Sequence, residues 1–331
     1  MIKYLYVFLL IMLISCNSSN DSESAGVFIP WNEISNPVLA VEDWAVKDAC
    51  MVFKDSVFYI FAGAFYYEDN GHFASHVVCF RTKDFINFSK PLFIWDGFDD
   101  GWLGMASPNI TRYKNKYYLT YNSWGDKPGK KNQLFYAVSD DLINWEKDIP
   151  LAESITNNLR AIDAAIYFHN EKCFLVYKEF QTPKIAYADS IDSNEWTVLG
   201  NPGLGWFENA QLIKIDNDIM LFATIKDSIH GPAISYLEGN PDKPEEWMQW
   251  KPLKPLNATI PQEIYNSHEK ANAASVADWR KYDGYFYLIG AGTTEGKTFE
   301  GRGNCKLGLY RSFDFEEWET PGERDKTDVN R

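Results

Sequence analysis

Three acids and one serine stand at nearly one distance from an aromatic or apolar partner further along the chain. Asp48 precedes Tyr59 by eleven residues, Ser107 precedes Tyr118 by eleven and Asp163 precedes Phe174 by eleven. Glu208 precedes Met220 by twelve, a difference that one extra turn residue would absorb. Successive side chains of a strand alternate faces, so equal offsets put these residues at equivalent points of equivalent strands. An isolated acid at a strand end is usually just solvated; three in matched register point to a site. Gathered carboxylates repel one another, which favours a proton on one of them. A protonated acid beside an ionised one is what glycosidic cleavage requires: a donor for the leaving oxygen and a base that activates water. No G-x-S-x-G, P-loop, H-E-x-x-H or dinucleotide fingerprint offers a competing chemistry.

The elements that must carry these residues repeat. Segments 52–61, 112–119, 167–175, 212–222 and 280–288 each pair two apolar runs across a short polar turn, the last with an Asp283-Gly284 hairpin signal. Each is followed by a second signature ending in an aromatic: Asp84 with Phe88, Asp141 with Trp145, Asp192 with Trp196, Glu245 with Trp247 and Asp314 with Trp318. Five copies over about 290 residues give a period near 58, the length of a four-stranded propeller blade with its loops. Both signatures recur in one order and no long helical periodicity intervenes, which favours an all-β, five-bladed β-propeller over a sandwich of hairpins. The expected organisation is one propeller domain over 27–331. The first strand of each blade lines the channel of a propeller, so the acids of blades one, three and four should meet at one mouth, with Ser107 in blade two's slot.

Composition narrows the partners. The 331 residues hold 32 basic against 46 acidic side chains, a net charge of −14, which argues against nucleic acid. Twelve Trp, 19 Tyr and 22 Phe mark a folded chain rather than a disordered one. The one long apolar run, Tyr4 to Ile14, follows Lys3 and is too short to span a bilayer. It ends in Leu13-Ile14-Ser15-Cys16 and resembles a bacterial lipoprotein signal, which implies a signal peptide over 1–15, lipidation of Cys16 and a polar tether over 16–26. That resemblance implies export and a lipid anchor as the chain's one contact with a membrane, with the outer membrane preferred. The remaining Cys50, Cys79, Cys173 and Cys305 form no C-x-x-C pair and are expected as buried free thiols, not disulfides or a zinc site.

Across residues 40–321 the chain resembles glycoside hydrolase family 43 and its five-bladed relatives, including family 62. The resemblance rests on Val46-Lys47-Asp48-Ala49, Ala106-Ser107-Pro108-Asn109, Ala161-Ile162-Asp163-Ala164 and Phe207-Glu208-Asn209-Ala210. It implies that Asp48 is the general base, that Asp163 orients it and tunes the acid, and that Glu208 is the general acid of an inverting reaction. Inversion implies base and acid carboxyls about 6.5–9.5 Å apart. The implied substrates are plant-type glycans, β-xylosides or α-L-arabinofuranosides, with galactosides or non-catalytic glycan binding as alternatives. Ala49, Ala164 and Asn209 stand where family members commonly carry Pro, Pro and Gly-Pro, and Phe-Glu-Asn-Ala is closer to family 62. These departures bear on the substrate more than on the three acids.

Sugar rings present apolar faces that stack on aromatics. Phe65, Trp102, Trp124 and Trp206 flank the inner strands closely enough to be candidate substrate-binding residues, joined by Ser107, Lys178, His230 and Arg302. No cofactor is expected. The resemblance leaves a channel calcium ion open, since some family members hold one, although no EF-hand spacing points to it here.

Overall fold

The computed structural model describes residues 27–69, 71–98, 101–125, 129, 131–225, 231–256, 272–293 and 303–321. The signal, the tether and Cys16 lie outside them. Nineteen strands occur among the described residues and fall into five antiparallel blades. The first holds β1 (Ala45–Lys54), β2 (Val57–Tyr67), β3 (Phe73–Thr82) and β4 (Phe93–Trp95). The second holds β5 (Gly104–Tyr113), β6 (Lys116–Trp124), β7 (Leu134–Ser139) and β8 (Glu146–Pro150). The third is built from β9 (Ala161–His169), β10 (Lys172–Glu179), β11 (Thr182–Ala188) and β12 (Thr197–Gly200). The fourth is built from β13 (Phe207–Ile215), β14 (Asp218–Ile225), β15 (Pro232–Tyr236) and β16 (Lys254–Pro255). The fifth has β17 (Asn272–Asp278), β18 (Phe286–Thr293) and β19 (Cys305–Ser312). The inner strands touch in the closed order β1-β5-β9-β13-β17-β1, which is the five-bladed propeller.

The strands read as nearly continuous apolar runs because both faces of each blade are covered. Five apolar clusters fill the five gaps between neighbouring blades: first to second, second to third, third to fourth, fourth to fifth and fifth to first. Cys50, Cys79, Cys173 and Cys305 are buried and in no disulfide, and burial pushes the thiols of Cys50, Cys79 and Cys173 well above the ordinary range. One close approach requires glycine. Gly104 (φ +154°) pairs with Ser75 where the first two blades meet, and a Cβ there would lie 1.8 Å from the Ser75 carbonyl oxygen.

The last blade is completed by both flanks of the chain. Leu39 bridges Leu307 and Glu319 bridges Arg311, both on the free edge of β19. Between them the Asn36 amide imitates a strand: its Nδ2 donates to the Leu309 carbonyl at 2.8 Å and its Oδ1 accepts the Leu309 N–H at 2.8 Å. The Asp283-Gly284 signal does not make a two-residue hairpin. Arg280–Asp283 instead forms one helical turn (α2, after α1 at Glu153–Thr156), and Gly284 at φ +90° ends it. Asp283 is held by the Tyr285 N–H and the Tyr287 hydroxyl, which favours the longer connection.

In the first, second and fifth blades the recurring second signature is a turn lock. Asp141 Oδ1 accepts the N–H groups of Ile143 and Asn144, its Oδ2 accepts the Asn144 side chain, and Ser139 Oγ accepts the Leu142 N–H. Asp84 and Asp314 accept the same pair of backbone N–H groups in their own turns. The Asn144 N–H, then the Ile143 N–H, hold the Asp141 carboxyl well below the usual carboxylate range. For Asp84 and Asp314 burial acts upward and is outweighed by the turn N–H donors, so both are also lowered. A carboxylate lowered in the folded state contributes stability above its unfolded value, about 3.9, and loses that contribution as pH falls through the folded value. Thermal unfolding against pH should therefore drop steeply below about pH 4. The combined Asp84→Asn, Asp141→Asn, Asp314→Asn variant should be less stable at pH 7 but fall less steeply, the two curves drawing together as pH falls through the folded values of the three carboxyls. Parallel curves would show that these turns do not set the acid sensitivity.

Candidate active site

A regular ladder sends successive side chains to opposite faces of a blade, and a break in it re-aims them. Each inner strand has one. The ladder skips between Lys47 and Cys50, between Ala106 and Asn109, between Ile162 and Ala165, between Glu208 and Gln211, and between Asn272 and Ser275. Two residues thus oppose one, a β-bulge, which bends the strand and re-aims a side chain. In the first four blades the leading bulge residue is left-handed: Asp48 at φ 55°, Ser107 at 55°, Asp163 at 60° and Asn209 at 49°. Asp and Asn tolerate that region better than other non-glycine residues.

This geometry corrects the register of the fourth blade. The inner hairpins of the first four blades all turn on two residues, 55–56, 114–115, 170–171 and 216–217, so no extra turn residue exists. Asn209, eleven residues before Met220, fills the slot of Asp48, Ser107 and Asp163. Glu208 sits one place earlier, equivalent to Lys47, Ala106 and Ile162.

Contacts between blades hold the group together. Asn209 Nδ2 donates to Asp48 Oδ1 at 3.0 Å, and Ser107 Oγ donates to Asp163 Oδ1 at 2.9 Å. Asn122 Oδ1 accepts the Asp163 N–H at 3.0 Å. Lys178 from β10 is only 2% exposed; its ammonium lies 3.2 Å from Asp163 Oδ2 and ion-pairs with Glu208 Oε1. Lys47 Nζ is 3.6 Å from Asp48 Oδ2. Asp48 and Asp163 are buried at 3% and 8% exposure. Two ammonium groups therefore counter the mutual repulsion that three gathered acids would otherwise suffer.

Asp48, Ser107, Asp163, Glu208 and Asn209 line one cavity of about 410 Å³, with Phe65, Trp124 and Arg160 on its wall. Phe65 and Trp124 meet edge to face at 5.4 Å and give it an apolar side. A second void of about 10 Å³, the size of one water, lies against Asp48, Ser107, Asn109, Asp163, Asn209 and Ser275. Among the described residues no group of three or more His, Cys, Asp or Glu is arranged to hold a metal ion.

Other candidate residues fare differently. Trp102 is 3% exposed and absent from the cavity wall, because it packs into the structure rather than toward the mouth. Lys178 lies behind the acids instead of on the wall, with its ammonium 4.9 Å from the Trp206 ring. Trp206, also off the wall, donates its Nε1–H to Gln181 Oε1 at 2.8 Å. His230 and Arg302 lie outside the described residues. Asn122, Arg160 and Asn209 were not singled out by the sequence. Only Asn209 carried a signal there, its offset of eleven.

The model of glycosyl hydrolases family 43 matches residues 34–308. The β-1,2-mannobiose phosphorylase of Thermoanaerobacter sp. (strain X514) is 28% identical over 117 residues, 32% of this chain, and the chain spans 38% of that relative's length. A thermostable family-43 glycoside hydrolase superposes with a TM-score of 0.62 at 15% identity, covering 87% of this chain and 96% of its own. A structure from the GH130 family of mannoside phosphorylases, described as containing glycoside hydrolases that target β-1,2-mannosidic linkages in Candida mannan, gives 0.61 at 15% identity, covering 85% and 87%.

Lys178→Met would leave Asp163 and Glu208 without the ammonium between them. Losing one partner of a buried ion pair costs about 3 kcal/mol or more. Urea unfolding should show that loss, and adding Asp163→Asn to Lys178→Met should cost less than the two single changes summed. Additive costs would mean that Lys178 does not stabilise Asp163.

Proposed function

The chain belongs to glycosyl hydrolases family 43, and on that footing we propose that it hydrolyses glycosidic bonds of plant-type glycans, with inversion, at the cavity between β1 and β13. One observation carries the reading: Asp48, Asp163 and Glu208 come from three different blades to one cavity, each beside a lysine ammonium. Asp48 takes a proton from the attacking water. Glu208 delivers one to the leaving oxygen, parting from Lys178 in its protonated form. Asp163, fixed by Ser107, the Asn122 carbonyl and Lys178, keeps Lys178 in place while Glu208 turns. The Phe65–Trp124 wall suits the apolar face of a sugar ring, and β-xylosides or α-L-arabinofuranosides are the proposed substrates.

The stretch similar to a β-1,2-mannobiose phosphorylase supports a second reading, a β-mannoside as substrate with phosphate as the acceptor. Release of nitrophenol from a panel of pentoside, galactoside and mannoside nitrophenyl glycosides, with and without inorganic phosphate, separates the two. Hydrolysis of a pentoside is expected, and Glu208→Gln and Asp48→Asn should each lower kcat by about 10²–10⁴-fold with correct folding retained. Turnover only of mannosides, and only with phosphate, would favour the second reading. Binding without turnover of any glycan would leave a glycan-binding propeller.

The chain is further proposed to be exported and anchored through Cys16. Cys16→Ala should move the protein from the membrane fraction to the soluble or unprocessed fraction; an unchanged distribution would contradict anchoring.

A further inference from the structure

We propose that Asn209 is the positioning residue of Asp48: its amide fixes one carboxylate oxygen and biases Asp48 toward the ionised form that a base needs. The inference rests on the hydrolase reading above for its kinetic consequence, and on geometry for the contact. Asn209 Nδ2 reaches Asp48 Oδ1 at 3.0 Å from the opposite part of the ring, 161 residues away in sequence. An amide N–H can only donate, so it meets a lone pair and favours the charged carboxylate over the protonated acid. With Oδ1 occupied, the carboxylate cannot spin freely, and its other oxygen is fixed on the side of Lys47 Nζ.

The residue is suited to the post in two ways. It leads the bulge of β13 at φ 49°, where asparagine is among the least strained non-glycine choices. It also follows Glu208 directly in the chain, so one backbone segment carries both the proposed acid and the group that orients the proposed base. The alternative role is a plain clamp between the first and fourth blades. A clamp would affect stability and would leave the ionisation of Asp48 alone.

Asn209→Gly separates these roles, because glycine adopts the left-handed bulge without strain and removes only the amide. Loss of a donor to a charged carboxylate raises its titration, so the acid limb of the kcat/KM profile should move up by about one pH unit. We expect kcat at the optimum to fall about 10-fold with KM within about 2-fold. Asn209→Asp, which places a second carboxylate against Asp48, should move the limb further in the same direction. The Asp48 side-chain carboxyl carbon followed by ¹³C NMR should titrate higher in Asn209→Gly than in the native protein, whether or not a glycan is turned over. A protein inactive on every glycan but showing that NMR shift would sink the hydrolase reading and uphold the positioning role. An unchanged Asp48 titration, with only melting temperature or KM altered, would overturn the proposal.

Discussion

The channel mouth depends on one backbone constraint: beside it the inner strand stops being a regular strand, which re-aims side chains that strict alternation would send elsewhere. The bulge does this in every blade, and in the first four its leading residue is held left-handed. A non-glycine residue there costs on the order of 1 kcal/mol or more. The surroundings over-determine the conformation. The leading residues are tied together by side chain, Asn209 to Asp48 and Ser107 to Asp163, while Asn109 reaches the Ala210 carbonyl across the channel and Gln211 bonds Val276 in both directions. Left-handed residues also occur in turns elsewhere, at Asp55, Phe85 and Leu142 for example, but these four sit where the chemistry is proposed, and the apolar clusters between blades supply the stability that tolerates them.

The second constraint is charge. Three acids gathered at one cavity, two of them buried, repel one another as anions unless compensated. Lys178, nearly fully buried, touches two of them from behind, and Lys47 stands beside the third. Lys178 stays off the cavity wall, whereas Lys47 lines the cavity beside Asp48. On the mechanism proposed above, Asp163 needs no contact with sugar: it retains Lys178 when Glu208 lets go.

The propeller was readable from the sequence because its repeat is physical. Two-residue hairpin turns recur in the first four blades and aspartate-locked outer turns in the first, second and fifth, where the same local hydrogen bonds generate them at Asp84, Asp141 and Asp314. The neighbourhood of Asp48, Ser107, Asp163 and Glu208 was readable for the same reason, since a constant offset survives folding. The slot in the fourth blade was misread because chemical type was given priority over spacing: glutamate looked like the third acid of a ring, while the constant offset belonged to Asn209. Lys178 and Trp102 show a different limit. Both lie close to inner strands in sequence, yet one packs behind the acids and the other into the interior, and strand alternation alone does not report which neighbour a long side chain will find. The last blade's Asp283-Gly284 turn gave way to a helical turn because side-chain bonds to Asp283 outweigh the dipeptide's own preference.

The division of labour between Asp48 as base and Glu208 as acid is tested most directly by the stereochemistry of the first product. A glycoside that the protein turns over should be followed by ¹H NMR from the first minute, before the released sugar mutarotates. Attack by a water activated at Asp48, opposite an acid at Glu208, predicts that the first anomer has the configuration inverted from the substrate. A first product of retained configuration would require a covalent glycosyl–enzyme intermediate and would contradict these roles.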